Sequence, residues 1–293
     1  MGRGDPAEAV NRRPVALTIA GSDSGAGAGV QADLKTFAAL GVYGTSAITA
    51  ITAQNTVAVR ATHCLPPEIV AAQIDAVFED FEVGAVKIGM LGAPETVEVV
   101  TASLARWRPP FVVYDPVLAA STGGALAREG FVAALKGGLL AEVDLLTPNL
   151  AEAGALLGEA PASDEAGLRA QGQALLALGP RAVLLKGGHL EGDAVDWLTV
   201  AAVDDRGGRG QRPRLQDVEH RFAAPRVAAA NTHGTGCTLS SAIAAHRLRG
   251  SSLVESVRLA KAFTRDAILA ARAVRLGRGA GPLMQWPLGP AKT

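Results

Sequence analysis

Apolar and polar positions alternate along this chain in two rhythms. Short aliphatic and β-branched runs fall at 15–20, 45–52, 85–90, 111–115, 145–147 and 182–186, and each has the length of a buried strand. Between them, apolar residues recur at helical spacing over 30–40, 67–81, 95–107, 130–135, 150–157 and 164–178. In the first of these, Val30, Leu34, Phe37 and Leu40 share one face, and Gly41 stands where a C-cap belongs. Pro67, after Pro66, opens the second as a first-turn proline. Such alternation predicts a parallel sheet covered by helices on both faces. The pattern then changes. Runs at 195–200 and 218–222 predict two strands joined by a charged, Gly-rich loop at 204–216, and helical patterns follow at 238–248 and 253–276. No repeat or low-complexity linker divides the chain, so one domain is expected over 14–293, behind a polar tail at 1–13 that should fray.

In this architecture ligands gather at the carboxyl ends of the strands, and the residues with chemistry fall there. After the first run comes Gly21-Ser22-Asp23-Ser24-Gly25-Ala26-Gly27-Ala28-Gly29. No Gly-Lys-Ser/Thr follows, and Val30 occupies the place of the third glycine of the dinucleotide fingerprint, so neither motif is present. Asp23 reads either as a helix cap or as a carboxylate facing a ligand. Gln54 ends the second run. Its amide can pair with the donor–acceptor edge of an aminopyrimidine, or simply occupy an exposed turn. In Lys87-Ile88-Gly89-Met90, the methionine can cover a flat ring or fill the core. Asp115, then Thr147-Pro148-Asn149 with Glu152 one turn on, supply two carboxylates and an amide. Mg²⁺ beside phosphates uses such a set, while Asn149 also reads as a helix N-cap. Lys186-Gly187-Gly188 places a cation among glycines, suited to a phosphate.

The segment Asn231-Thr232-His233-Gly234-Thr235-Gly236-Cys237-Thr238 meets the start of a helical pattern. Backbone N–H groups at a helix start lack intrahelical partners, and with the helix dipole they make an anion site. The same dipole predicts a thiolate at Cys237. A Gly-rich turn capping a helix over a small buried cysteine is the plainer reading of the same residues.

Composition narrows the choice. Formal net charge is zero, from Lys+Arg 28 and Asp+Glu 28, and only 4% of residues are aromatic, which argues against nucleic-acid binding. With 293 residues and 48% hydrophobic content the chain can bury a full core. No apolar run approaches a membrane span. Cys64 and Cys237 lack metal-ligand spacing and no secretory segment precedes them, so a cytoplasmic location is expected.

Leu17-Thr18-Ile19-Ala20-Gly21-Ser22-Asp23, Gly27-Ala28-Gly29-Val30-Gln31-Ala32-Asp33-Leu34-Lys35-Thr36-Phe37, Ala53-Gln54-Asn55-Thr56, Lys87-Ile88-Gly89-Met90-Leu91, Thr147-Pro148-Asn149, Leu185-Lys186-Gly187-Gly188-His189 and the 231–238 segment occur in order. Together they closely resemble the hydroxymethylpyrimidine/phosphomethylpyrimidine kinases of thiamine biosynthesis, over roughly 15–272. The resemblance implies a ribokinase-like three-layer α/β sandwich, with a central, mostly parallel sheet between helices, that works as a homodimer. It implies ATP-dependent phosphorylation of a pyrimidine alcohol, then of its monophosphate. Gln54 would read the aminopyrimidine, with Gly21 and Met90 shaping its pocket and Asp23 acting through water. Cys237 stands where most ribokinase-like enzymes carry an aspartate base. Gly234, Thr235 and Gly236 would cradle the transferring phosphoryl group, with Thr235, Lys186 and Asn149 meeting ATP, and Asp115 and Glu152 holding Mg²⁺ mostly through water. One departure is Leu118-Ala119-Ala120-Ser121-Thr122-Gly123-Gly124, where relatives often carry a lysine or more hydroxyls in a segment that can act as a lid. The 204–216 loop is longer than usual and reads as surface decoration.

Two other functions fit part of the pattern. A vitamin B6 kinase would share the fold and the Gly-Thr-Gly-Cys turn, and a non-catalytic pyrimidine sensor would keep the pocket alone. Gln54 with Met90 favours the aminopyrimidine, and retention of Lys186, Asp115, Glu152 and the 234–237 turn favours catalysis.

Overall fold

The strand-like runs pair into one sheet. The computed structural model describes residues 13–118, 129–188, 193–201 and 218–286. The 204–216 loop, residues 119–124 of the lid-like segment, His189 and the tail up to residue 12 lie outside them. Strands β1 (Val15–Asp23), β2 (Tyr43–Gln54), β3 (Val59–Cys64), β4 (Val83–Ile88), β5 (Val112–Tyr114), β6 (Leu145–Leu146), β7 (Ala182–Lys186), β8 (Ala194–Val200) and β9 (Val218–Ala224) lie in the order β3-β2-β1-β4-β5-β6-β7-β8-β9. From β2 to β7 neighbours run parallel, and β3, β8 and β9 are antiparallel additions at the two edges.

Helices are α1 (Gly29–Ala39), α2 (Pro67–Asp80), α3 (Pro94–Trp107), α4 (Phe131–Gly137), α5 (Leu150–Leu157), α6 (Glu165–Leu176), α7 (Thr235–Leu248) and α8 (Leu253–Ala271). From β1 the chain first moves outward to β2, then crosses back to β4 and proceeds the other way. Right-handed crossovers in opposite directions place their helices on opposite faces. Accordingly α1 shares one face with α7 and α8, and α2 to α6 cover the other.

Period-two alternation divides the strand side chains between two cores. Leu17, Ile19, Val86, Ile88, Val112, Tyr114, Val183 and Leu185 pack with α2 to α6, whereas Ala16, Ala85, Val113, Leu145, Ala182 and Leu184 pack with α1, α7 and α8. Small alanines on the second face let α7 approach the sheet closely.

Among the described residues, element bounds shift by a few residues at several ends, and the larger departures are these. Strand β3 was not expected, because its side chains are mostly exposed and carry no apolar alternation. Helix α7 begins at Thr235, not at 238, and α8 ends at Ala271, not at 276. A 3₁₀ turn at Leu139–Glu142 follows α4, after Gly137-Gly138 ends it.

One buried polar node ties the α1–α7 face together. Lys87 Nζ donates to Asp33 Oδ2 at 2.8 Å, Thr18 Oγ1 donates to the same oxygen at 2.6 Å, and Ser241 Oγ donates to Asp33 Oδ1 at 2.8 Å. Lys87 and Asp33 are both fully buried. Burial disfavours the lysine's charge, but Asp33, with Cys237 and Asp115 behind it, more than offsets this and the pKa of Lys87 rises. The node joins β1, β4, α1 and α7, so it fixes how α7 stands on the sheet. Removing one member of a buried pair strands the other charge, at about 3–5 kcal/mol. Asp33→Ala should therefore lower unfolding free energy in urea by that amount, and the paired change Asp33→Leu with Lys87→Met should recover a large part of it. Equal losses for the single and paired changes would mean that shape, not charge, governs the site.

Candidate active site

The chain reverses direction at β1 and β4, and a crevice opens above their carboxyl ends, as expected at such a switch point. There a cavity of about 820 Å³ runs across the sheet. The residues given roles in the sequence analysis, from Gly21 to Cys237, line it, apart from the lid-like segment, of which residues 119–124 lie outside the described residues. Gly21, Asp23, Gln54 and Met90 lie at one end, around β1, β2 and β4. Asp115, Asn149, Glu152 and Lys186 come from the ends of β5 to β7, and Gly234, Thr235, Gly236 and Cys237 line the cavity from the start of α7.

Asp23 organises the glycine loop. Its carboxylate accepts from the N–H groups of Gly25 at 2.8 Å, Gly27 at 3.1 Å and Ala28 at 2.9 Å, and lies 2.9 Å from His233 Nε2. Burial alone would raise its pKa, but the His233 contact and the loop N–H groups outweigh it and the pKa falls. It is not the N-cap of α1, a position held by Ala28. Its oxygens face the loop that shapes the cavity. Ser24 then pins the end of β2, donating to the Gln54 carbonyl at 2.6 Å and accepting from Gln54 N–H at 2.8 Å.

The C-terminal segment braces the same end from outside. Thr56 Oγ1 accepts from the N–H groups of Arg278 and Gly279, and Asn231 Nδ2 donates to the carbonyls of Ala271 and Val274. Gly281 N–H donates to Asn231 Oδ1 at 3.0 Å. Asn231 is thereby the staple between the end of α8 and the turn that opens α7.

At the other end stands α7. Gly234 has φ +87, and a Cβ there would lie 1.9 Å from the Gly27 carbonyl oxygen, so only glycine lets the turn dock on the first loop. Helical bonding starts with Thr238 N–H donating to the Gly234 carbonyl at 2.9 Å. The N–H groups of Gly236 and Cys237 precede it, the first turn carries no acidic residue, and the dipole adds positive potential. Gly236 also permits close approach to a charged pair: a Cβ would stand 3.0 Å from Asp115 Oδ2 and 3.2 Å from Lys186 Nζ.

Lys186 Nζ donates to Asp115 Oδ1 at 2.7 Å. Burial works against the lysine's charge, while Asp115 and Glu152 together push its pKa up. Glu152 and Asn149 form a capping box at the start of α5: Glu152 N–H donates to Asn149 Oδ1 at 2.9 Å, and Asn149 N–H donates to Glu152 Oε2 at 2.8 Å. Asn149 is thus an N-cap that also lines the cavity. Burial raises Glu152 to about 7, with Lys186 pulling it down and Asp115 pushing it up. Asp115 and Glu152 therefore face the cavity together, and both act on the charge of Lys186. Hard oxygen donors in that number suit Mg²⁺ beside phosphates.

Cys237 differs from expectation. The dipole argument predicted a thiolate, but the side chain is only 9% exposed and burial pushes its pKa up to about 11. Lys87 pulls it down, Asp33 and Asp115 push it further up, and a hydrogen bond from Gly29 N–H lowers it. Desolvation wins over the dipole, and the resting group is a thiol.

An open parallel sheet, a glycine loop after β1, and a helix-start anion site beside a lysine and two carboxylates define a ribokinase-like kinase. Comparison with known proteins makes this specific. The phosphomethylpyrimidine kinase family model matches residues 23–284. The hydroxymethylpyrimidine/phosphomethylpyrimidine kinase of Rhizobium meliloti is 49% identical over 269 residues, covering 92% of this chain and 96% of that protein. The solved phosphomethylpyrimidine kinase of Clostridium difficile superposes with a TM-score of 0.72 at 39% identity, covering 87% of this chain and 100% of that one. The Bacillus subtilis pyridoxal kinase, solved as an ADP complex, gives 0.79 at 29% identity, over 94% and 98%. This chain belongs to the phosphomethylpyrimidine kinase family.

Sequence reasoning assigned no role to Asp33, Lys87 or His233, although all three stand in the quoted motifs. A lysine inside Ala85-Val86-Lys87-Ile88 is itself a signal, since a central parallel strand has no solvent face and such a residue needs a buried acid. It also missed Arg226, Lys261 and Arg265, which line the cavity toward β8 and α8 and share no local motif.

The thiol state of Cys237 has a direct test. In a Cys64→Ser protein, a pKa of about 11 against the ordinary 9.0 leaves roughly a hundredfold less thiolate at pH 8. Iodoacetamide should modify Cys237 slowly at pH 8, and the rate should climb about tenfold per pH unit without levelling below pH 10. A plateau near neutral pH would show a resting thiolate.

Proposed function

We propose that this chain transfers the γ-phosphoryl group of ATP to the hydroxymethyl oxygen of 4-amino-5-hydroxymethyl-2-methylpyrimidine, and then a second phosphoryl group to the monophosphate. One observation carries the reading: a single cavity joins Gln54 and Met90 to the helix-start anion site and Lys186. The names of the close relatives, which cover nearly the whole chain, support both steps.

Gln54 pairs with the aminopyrimidine edge while Met90 and Gly21 close on the ring. Lys186 and the capping residue Asn149 meet ATP phosphates, with Thr235 beside them. The N–H groups of the 234–237 turn hold the transferring group where negative charge gathers, and the work is mostly positioning and charge neutralisation. Cys237 lies where the alcohol would attack. Its minor thiolate takes the hydroxymethyl proton late, as the new oxygen–phosphorus bond forms and the bond to the ADP oxygen breaks. Asp115 and Glu152 fit Mg²⁺ as oxygen donors, and when bound the ion would neutralise phosphate charge.

We take the active form to be a cytoplasmic homodimer. Exposed Tyr43 and Ile51 on β2 and Val57 in the following turn support an association surface, at 53%, 50% and 53% exposure. Both cysteines are free, and among the described residues no helix is long and apolar enough to cross a membrane.

The likeness to pyridoxal kinases sets the competing reading. Release of ADP should be measured with the pyrimidine alcohol and with pyridoxine. The expected result is a kcat/KM at least about a hundredfold higher for the pyrimidine, the discrimination that pocket shape alone supplies before unpaired polar groups add to it. Turnover of pyridoxine alone would reassign the protein as a vitamin B6 kinase. Tight binding of the pyrimidine with no ADP release would make it a sensor.

A further inference from the structure

His233 stands where the two halves of the cavity meet. Its Nε2 lies 2.9 Å from Asp23 Oδ2 and 3.2 Å from one end of the Gln54 amide. The ring is wedged over Gly27, where an added Cβ would meet its Cδ2 at 2.3 Å. The other end of the amide lies 3.2 Å from Thr52 Oγ1, and that hydroxyl is 2.9 Å from the Ser22 carbonyl oxygen. Gln54, Thr52 and His233 all line the cavity.

These contacts decide which end of the amide is which. Asp23 is held ionised and can only accept, so His233 Nε2 carries a hydrogen and donates to it. A nitrogen that donates cannot also accept from an amide NH₂. Thr52 has one hydroxyl hydrogen, and the shorter contact, to Ser22, takes it, which leaves the oxygen as an acceptor. With the amide NH₂ toward His233, two donors oppose each other there and two acceptors oppose each other at Thr52. Half a turn of the amide relieves both contacts: the NH₂ donates to Thr52 Oγ1, and the carbonyl shares the one His233 Nε2 hydrogen with Asp23 in a three-centre bond. Amide oxygen and nitrogen have the same outline, so the network decides between them.

We propose that His233 and Thr52 are specificity-determining positioning residues, which hold Gln54 with its carbonyl toward the 234–237 turn and its NH₂ away from it. The second lone pair and the second N–H then face the cavity in a fixed order, acceptor nearest the phosphoryl-transfer end and donor beyond. That order selects a heteroaromatic alcohol with an exocyclic amine beside the reacting CH₂OH and a ring nitrogen acceptor next to the amine. A 4-oxo ring presents the reverse order, a carbonyl and then an N–H, and would set carbonyl against carbonyl. The inference rests on the reading of Gln54 as the residue that recognises the ring.

The test compares kcat/KM for the 4-amino alcohol with that for its 4-oxo counterpart. It uses the unaltered protein, Thr52→Val, His233→Leu and Gln54→Leu, with KM for ATP measured throughout. The unaltered protein should favour the amino ring by about a thousandfold or more, as buried polar groups left unpaired reject the wrong partner. Each of Thr52→Val and His233→Leu frees the amide to turn, so each should cut that ratio about tenfold, the worth of one hydrogen bond, with KM for ATP within about threefold. Thr52→Val keeps the side-chain shape and serves if His233→Leu fails to fold. Rates that fall while the ratio holds would overturn the proposal, leaving both residues as supports of the fold. A ratio that survives Gln54→Leu would remove Gln54 as the ring reader, a separate failure that takes this proposal with it.

Discussion

The docking of the 232–236 turn onto the loop after β1 is the constraint on which the site depends. Gly234 approaches the Gly27 carbonyl so closely that no side chain fits between them. Asp23 meets His233 across this contact, Gly29 N–H meets the Cys237 sulfur, and Asp33 accepts from Ser241 one turn further along α7. Each of these links joins residues about 210 positions apart in the chain. The anion-binding end of α7 therefore exists only where the first and last thirds of the chain have come together, and the buried Lys87–Asp33 pair sets the height at which they meet.

Charge in the cavity is arranged around that contact. Lys87 is a buried cation and Lys186 a partly buried one, each held by an aspartate, and each favours negative charge placed above it. Asp115 sits against Lys186 and beside Gly236, so the α7 end of the cavity carries charges of both signs. Buried ion pairs of this kind contribute little net stability compared with apolar packing. Their use is to hold dipoles and charges in fixed directions, which is what phosphoryl transfer asks of a protein. Glu152 is raised to about 7, burial first and Asp115 adding to it, against the pull of Lys186.

Much of this was legible in the sequence. Strands β1, β2, β4 to β9 and the helices follow from the change of hydrophobic period, and the strand-end rule was enough to bring Asp23, Gln54, Met90, Asp115, Asn149 and Lys186 to one rim. Edge strand β3 escaped because an exposed strand needs no apolar alternation. Cys237 shows a different limit: the dipole of α7 is visible in sequence, but the degree to which other elements cover the sulfur is not, and coverage decides its protonation. His233 was visible as a residue and invisible as a contact, since its partners Asp23 and Gln54 come from the opposite end of the chain. Local pattern reveals which residues carry chemistry, and tertiary packing sets their charge and direction.

The central claim is that one cavity serves a pyrimidine alcohol and then its monophosphate. The most direct measurement is ³¹P NMR of the protein with ATP, Mg²⁺ and 4-amino-5-hydroxymethyl-2-methylpyrimidine, followed through time. A phosphomonoester resonance that rises first and gives way to a diphosphate pair is the result expected. A spectrum in which ATP persists and no new phosphorus resonance appears would contradict the account.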